Sequence, residues 1–104
     1  MRESVIEKAL KDRAKALGGE CRKVAWVGRS GAPDRLVMLP SGQVFAVDEI
    51  GHGRTTWVEL KAPGKKPESH QLREHERMRA MGQRVLVIDS LELIDYYFPL
   101  DGHA

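Results

Sequence analysis

The sequence has little of what several protein classes require. Cys21 is its only cysteine, which excludes an internal disulfide and a zinc site built from several cysteines. No apolar run approaches the roughly 18 residues of a membrane span, and residues 1–8 lack the apolar segment of a secretory signal. We therefore expect a cytoplasmic protein without membrane contact, in which Cys21 is a buried or half-buried structural thiol.

Net charge is also small. The chain carries 17 basic and 15 acidic residues, a formal charge of +2, so no strongly basic tail marks it as a nucleic-acid-binding protein. If DNA is bound, local basic clusters must supply the attraction. The 104 residues suffice for a hydrophobic core without disulfides, and they predict one domain over residues 1–104.

Hydrophobic periodicity predicts a mixed α/β chain. Helices are expected over residues 3–17, 68–81 and 91–97, and strands over residues 22–27, 34–39, 43–47, 54–61 and 84–89. The helix at 68–81 forms a crossover, so the strands before and after it should be parallel neighbours joined by a right-handed connection. The expected fold is a central mixed sheet flanked by helices.

The segment Trp57-Val-Glu-Leu-Lys61 carries the pattern that points to chemistry. Successive side chains of a strand alternate between faces, so Glu59 and Lys61 share one face. A second carboxylate, Asp34, follows Pro33 at another strand. Two carboxylates and a phosphate oxygen suit Mg²⁺, which prefers oxygen ligands and retains several waters. Such an ion activates water and bears charge in phosphodiester cleavage, while Lys61 steadies the attacking hydroxide, and this is nuclease chemistry.

The first helix adds a further acidic candidate. At 100° per residue its apolar residues form one stripe, made of Ile6, Leu10, Ala14 and Leu17. Glu3 and Glu7 share that stripe, and a carboxylate there is costly unless it is neutralised, paired or bound to a cation. Glu7 is therefore a candidate metal ligand, directly or through water, with Glu3 as the alternative. An i,i+4 pair between Glu7 and Lys11 is the purely structural interpretation.

In their order, these motifs resemble the VRR-NUC family of the PD-(D/E)XK nuclease superfamily over about residues 3–95. The resemblance is carried by Ile6-Glu7, Gly18-Gly19, Gly31-Ala-Pro-Asp-Arg-Leu36, Trp57-Val-Glu-Leu-Lys-Ala-Pro-Gly64, Gln71, Gly82 and Val85-Leu-Val-Ile-Asp-Ser90. It implies a restriction-endonuclease-like core of the small stand-alone phage or bacterial type, with Mg²⁺ or Mn²⁺ as cofactor. One departure is an additional polar segment over residues 48–55, which puts in doubt which residues flank the substrate.

The resemblance also implies roles for individual residues. Asp34 and Glu59 would bind the metal together with the backbone carbonyl of Leu60, and Gln71 would hold a metal-bound water or a phosphate. The structural interpretations are a turn at Asp34, a Glu59–Lys61 pair on a solvated face, and a helix cap at Gln71. The candidate DNA contacts, each equally interpretable as a solvated surface charge, are Lys65, Lys66, Arg29 and Arg35.

The remaining polar residues of the second helix are assigned no role in the site. His75 is expected to be a packed, hydrogen-bonded histidine and not a ligand. Charges of mixed sign on the outward face are expected to be solvated: Arg73, Glu74, Glu76 and Arg77.

The leading hypothesis is a metal-dependent endonuclease for structured DNA (flaps, forks or four-way junctions) in replication, repair or recombination. A chain this small has little surface for base readout, which favours shape and backbone recognition. Cutting both strands of a symmetric junction favours a twofold homodimer. The alternatives are a non-catalytic DNA-binding or junction-recognition module that keeps the fold, a structural or assembly protein of a phage, and a sequence-specific restriction enzyme.

Overall fold

A computed structural model describes residues 1–40 and 55–100 of the chain. The predicted strand over residues 43–47 and nearly all of the polar segment over 48–55 lie outside the described residues. The elements follow in the order α1 (Glu3–Ala16), β1 (Glu20–Lys23), β2 (Arg35–Met38), β3 (Thr56–Leu60), α2 (Ser69–Ala80), β4 (Arg84–Ile88) and α3 (Leu91–Tyr97).

The strands of the described part form one mixed sheet in the order β1-β2-β3-β4. β2 pairs antiparallel with both β1 and β3, whereas β3 and β4 are parallel, with Glu59 opposite Val87. α2 connects the two parallel strands, as the predicted crossover requires. The expected fold class, a mixed sheet flanked by helices, is confirmed.

Alternation along β3 divides the sheet into two faces. Val58 and Leu60 belong to the main apolar core, which they share with residues of α1 and α3. The other members of that core are Ile6, Leu10, Ala14, Leu17, Val37, Ile88, Ile94 and Phe98. Glu59 points to the opposite face, where it meets Gln71 and His75 of α2. One face therefore buries apolar side chains under α1 and α3, and the other presents the predicted catalytic carboxylate to α2.

The first strand is the element whose predicted bounds were wrong. It was expected over residues 22–27, but β1 covers Glu20–Lys23. Gly18, with φ +86°, ends α1 abruptly, and a Cβ on Gly19 would collide with the carbonyl oxygen of Met38. The chain therefore enters the sheet directly after the two glycines and leaves it earlier, so that Val27 is 98% exposed. The other described elements agree with the predicted bounds within two residues.

Two smaller expectations can also be compared with the described part of the chain. Cys21 is half-buried, as expected for a structural thiol. None of the helices in residues 1–40 and 55–100 has the length and apolar composition needed to cross a bilayer.

Candidate active site

The strand register brings the two predicted carboxylates to neighbouring positions in the sheet. Arg35 of β2 is paired with Val58 of β3, and this antiparallel register, continued by one residue, places Asp34 opposite Glu59. Asp34 still follows the strand, because its carbonyl accepts a 2.9 Å hydrogen bond from the Val24 N–H. The Asp34 side chain is 47% exposed, whereas Glu59 as a residue is only 8% exposed. The site therefore combines one accessible carboxylate with one buried carboxylate.

Lys61 joins the carboxylates from the end of β3. Its backbone N–H donates a 3.0 Å hydrogen bond to the Ile88 carbonyl, which continues the ladder between β3 and β4. Lys61 therefore shares the face of Glu59, as the alternation predicted, and its Nζ lies 4.0 Å from Oε2 of Glu59. The side chain of Lys61 is mostly buried, which contradicts a fully solvated pair on this face.

Burial makes Glu59 electrostatically unusual. Desolvation, together with the negative charges of Asp34 and Glu3, raises the pKa of its carboxyl from the ordinary 4.5 to about 7. The positive charges of Lys61 and Arg35 act in the opposite direction without cancelling the increase. A carboxylate in this state gains from any additional cation placed beside it.

Gln71 occupies the third position of α2, where it has the predicted capping role and also contacts Glu59. Its Oε1 accepts a 2.8 Å hydrogen bond from the Glu68 backbone N–H, which caps the helix. Its Nε2 donates to Oε2 of Glu59 at 3.3 Å. Because the cap occupies the amide oxygen, the amide nitrogen faces the carboxylate.

Glu7 reaches the site through an arginine. Arg35, buried on the α1 face of β2, forms an ion pair with Glu7, and its Nη1 lies 2.8 Å from Oδ1 of Asp34. The hydrogen bond from Arg35 lowers the pKa of Glu7. The charge on the core-facing stripe is thus neutralised by an arginine from β2 and not by the neighbouring Lys11, while Glu3 is exposed.

The four candidate DNA contacts have different environments. Arg35 is only 8% exposed and is occupied by two carboxylates, because an arginine facing the core must find partners for its charge. Arg29 donates from Nε to Oε2 of Glu74 at 2.9 Å and remains half-exposed. Lys65 and Lys66 are exposed, and with residues of α2, β4 and α3 they line an open cleft of about 430 Å³.

The loop that carries Asp34 is held against its neighbours at two points. Gly31, with φ +85°, approaches α2 so closely that a Cβ would lie 2.8 Å from the His70 carbonyl oxygen. Trp26 donates from its indole nitrogen to the Pro33 carbonyl at 2.9 Å, and its ring packs against Trp57 with centroids 5.1 Å apart. The sequence prediction missed the role of Trp26, because it assigned that residue to a strand.

The second helix contributes two buried residues that sequence reasoning left out of the site. His75 is fully buried, with Nε2 3.4 Å from Oε1 of Glu59. Its packing was predicted correctly, but the expected hydrogen bonds are absent from the described part, since neither ring nitrogen has a partner. Glu74, expected to be solvated, is 2% exposed and accepts hydrogen bonds from Arg29 and Arg77. The i,i+4 spacing of Gln71 and His75 was the available signal, because it places both on one helix stripe.

The arrangement fits a hard divalent cation completed by substrate and water. The candidate donors are the carboxylate oxygens of Asp34 and Glu59, and the Leu60 carbonyl is a further donor that the family resemblance implies. Within residues 1–40 and 55–100, no three His, Cys, Asp or Glu side chains lie close enough to hold an ion by themselves. Mg²⁺ does not require such a cage, since it usually keeps several waters beside one or two carboxylates.

Comparison with known proteins places this geometry among nucleases. The chain is 44% identical over 93 residues to "Putative nuclease p44" of Acyrthosiphon pisum secondary endosymbiont phage 1, an alignment that covers 89% of this chain and 88% of the phage protein. It also matches a solved structure described as a VRR_NUC domain, with TM-score 0.74 and 41% identity over 92% of this chain and 94% of that one. No family model matches the sequence. Both similarities extend over most of the chain and are not limited to one motif.

Proposed function

Because this chain belongs to the VRR-NUC family of nucleases, we propose that it is a divalent-metal-dependent endonuclease that hydrolyses DNA phosphodiester bonds. The observation that best supports this proposal is the buried Glu59 carboxylate opposite Asp34, with Lys61 Nζ 4.0 Å away. A surface that only binds DNA gains nothing from buried carboxylates, since phosphates repel them and are attracted by lysine and arginine. Two carboxylates on the same face as a lysine are instead the kind of arrangement that a hydrolytic site requires.

Asp34, Glu59 and the Leu60 carbonyl would hold Mg²⁺ or Mn²⁺, and Glu7, which is paired with Arg35, would contact the ion through water. The bound ion supplies positive charge beside the scissile phosphate and lowers the pKa of water. Lys61 orients the nucleophilic water and offsets the negative charge that develops on the phosphate, as a compact point charge on a largely buried stem. The side-chain amide of Gln71 donates a hydrogen bond to Oε2 of Glu59 and so restricts the position of this oxygen.

The proposed substrate is branched DNA, in replication, repair or recombination in the cytoplasm of a bacterium or a phage-infected cell. Lys65 and Lys66 stand exposed beside the end of β3, where they would contact the phosphate backbone next to the cleaved bond. Arg29 remains half-exposed and would be a further contact. A twofold homodimer would present two such sites to the two strands of a junction.

Purified protein should be incubated with linear, flap and four-way-junction DNA in Mg²⁺, Mn²⁺ or EDTA. We expect cleavage of branched DNA with either metal and none in EDTA. Lys61→Ala should lower the cleavage rate by about 10²–10³-fold and leave Mg²⁺ affinity nearly unchanged, whereas Asp34→Ala should lower both. Lys8→Ala is a matched lysine control, since Lys8 is exposed on α1 and forms a surface ion pair with Asp12. Unchanged cleavage in Lys61→Ala and Asp34→Ala would contradict the mechanism.

One observation favours the second candidate, a DNA-binding module that keeps the fold without cutting. Arg35 neutralises both Glu7 and Asp34, and so occupies two of the three acidic side chains proposed for the metal. The same assay separates the two functions. A binding module would retain branched DNA in a gel-shift experiment with Mg²⁺ present and release it uncut.

A further inference from the structure

His75 and Glu59 contain the buried polar side-chain atoms that have no hydrogen-bond partner within residues 1–40 and 55–100. These atoms are Oε1 of Glu59 and both ring nitrogens of His75. Nε2 of His75 and Oε1 of Glu59 lie 3.4 Å apart, and the histidine is fully buried. Leaving a buried polar atom without a partner is unfavourable, so the proximity of these atoms requires an explanation beyond packing.

The two oxygens of Glu59 face different groups. Oε2 lies near Gln71 Nε2 and Lys61 Nζ, at 3.3 and 4.0 Å, and Lys61 is the lysine proposed above to orient the nucleophilic water. Oε1 points to His75. A neutral imidazole that carries its proton on Nε2 donates to Oε1 after a shift of a few tenths of an ångström, and hydrogen bonds at active sites are often this long before substrate arrives.

On this geometry, and building on the nuclease function proposed above, we propose that His75 is a positioning residue for Glu59. Its Nε2–H holds Oε1, so that Oε2 remains available as the oxygen that binds the divalent ion. Partners of this kind fix the rotamer of a ligating carboxylate, and their removal commonly reduces metal affinity or activity by 10–100-fold. His75 contacts no substrate in this arrangement, since it is covered by α2 and the sheet.

The alternative is that His75 only fills space beneath α2. An apolar side chain of similar size would then serve equally well, because it would remove two unpartnered nitrogens from the interior. Two substitutions separate these roles. His75→Leu keeps an apolar filling and removes the donor, whereas His75→Gln keeps an amide N–H close to the position of Nε2.

The primary measurement is Mn²⁺ affinity by calorimetry in the absence of DNA. We expect His75→Leu to bind Mn²⁺ about 10–100-fold more weakly than the unsubstituted protein, and His75→Gln to recover most of that loss. Cleavage should follow the same order through kcat, with an unchanged KM for DNA. Equal Mn²⁺ affinity in the unsubstituted and Leu proteins would overturn the role of His75 alone. Absence of Mn²⁺ binding in the unsubstituted protein would overturn the metal-dependent function and this proposal together.

A second measurement does not depend on the folding of any variant. Nitrogen-15 spectra of the imidazole in the metal-free protein report which ring nitrogen carries the proton. The proposal requires the neutral tautomer protonated at Nε2. The spectra are recorded at a pH well above 7, where the Glu59 carboxyl is ionised. Protonation at Nδ1 alone would then overturn the proposal, because Nε2 would face a carboxylate oxygen as a second acceptor.

Discussion

Two buried glutamates of this protein, Glu59 in β3 and Glu74 in α2, have opposite electrostatic environments. Glu74 accepts hydrogen bonds from two guanidinium groups, those of Arg29 and Arg77, and these hold its pKa below the ordinary value. Glu59 has one lysine at 4.0 Å and an oxygen without a partner, and burial raises its pKa to about 7. Similar burial therefore accompanies a lowered pKa in one case and a raised pKa in the other.

The difference separates a structural carboxylate from a functional one. Glu74 forms ion pairs with Arg77 of α2 and with Arg29 of the loop that leads to β2. The protein itself therefore neutralises the charge of Glu74. Glu59 has Lys61 Nζ at 4.0 Å and a hydrogen bond from Gln71, and its pKa is raised in spite of both. A buried carboxyl whose charged form is stabilised only in part marks a place where a ligand of opposite charge is favoured.

The largest expected effect concerns catalysis, where the two glutamates should respond differently to the same conservative change. Glu59→Gln removes a proposed metal ligand and should lower the DNA cleavage rate at least about 10²-fold. Glu74→Gln keeps the shape and a hydrogen-bond acceptor for the arginines, and most of the cleavage rate should remain. Cleavage rates under single-turnover conditions test this contrast, and equal losses in both variants would remove it.

Mg²⁺ should also stabilise the fold through one glutamate only. An ion that binds only the native state at 100 times its Kd adds about 2.7 kcal/mol to the free energy of unfolding. For a chain of this size that increase corresponds to a rise in Tm of roughly 10 °C or more. The rise should occur in the unsubstituted protein and in Glu74→Gln, and it should be absent in Glu59→Gln. Na⁺ at matched ionic strength is the control in differential scanning calorimetry.

The pH dependence of stability should have opposite signs for the two groups in metal-free protein. Because the folded pKa of Glu59 is raised from 4.5 to about 7, its contribution is complete below pH 4.5 and is lost as pH rises towards 7. Because the folded pKa of Glu74 is lowered, its contribution is present above pH 4.5 and is lost as pH falls through the folded value. Unfolding midpoints of each Gln variant, subtracted from those of the unsubstituted protein, measure these slopes in EDTA. A difference between unsubstituted protein and Glu59→Gln that is flat from pH 4.5 to 7 would contradict the prediction.

Most of the backbone and the central part of the site follow from local patterns. Alternation along residues 57–61 placed Glu59 and Lys61 on one face, and the crossover helix predicted the parallel pair that β3 and β4 form. The residues of the main motif were identifiable because strand periodicity depends on near neighbours alone.

The remaining features depend on contacts between distant segments, which periodicity does not report. Glu74 lies in a stretch of mixed charge that looks solvated, and it is buried because Arg29, 45 residues away, covers it. Arg35 looks like a surface cation beside Asp34, yet it faces the core, where Glu7 of α1 meets it. Its position in the register of β2 was predictable, but its carboxylate partner was not.

The smallest expected effects come from the two arginines that distinguish Glu74 from Glu59. Arg77 is three residues from Glu74 on the same helix, whereas Arg29 reaches it from the loop that leads to Asp34. Either alanine substitution leaves one guanidinium on the carboxylate, so each should lower Tm by a few degrees at most.

Removing both arginines should destabilise the protein by more than the sum of the single changes, because Glu74 then remains buried without a partner. Only Arg29→Ala should also slow cleavage, by a few-fold, since it removes one of the contacts between α2 and the loop that leads to Asp34. A double-mutant cycle in Tm and in cleavage rate measures both quantities. Additive losses of Tm together with equal cleavage rates would show that the burial of Glu74 does not depend on its two arginine partners. The contrast between Glu74 and Glu59 would then rest on burial alone.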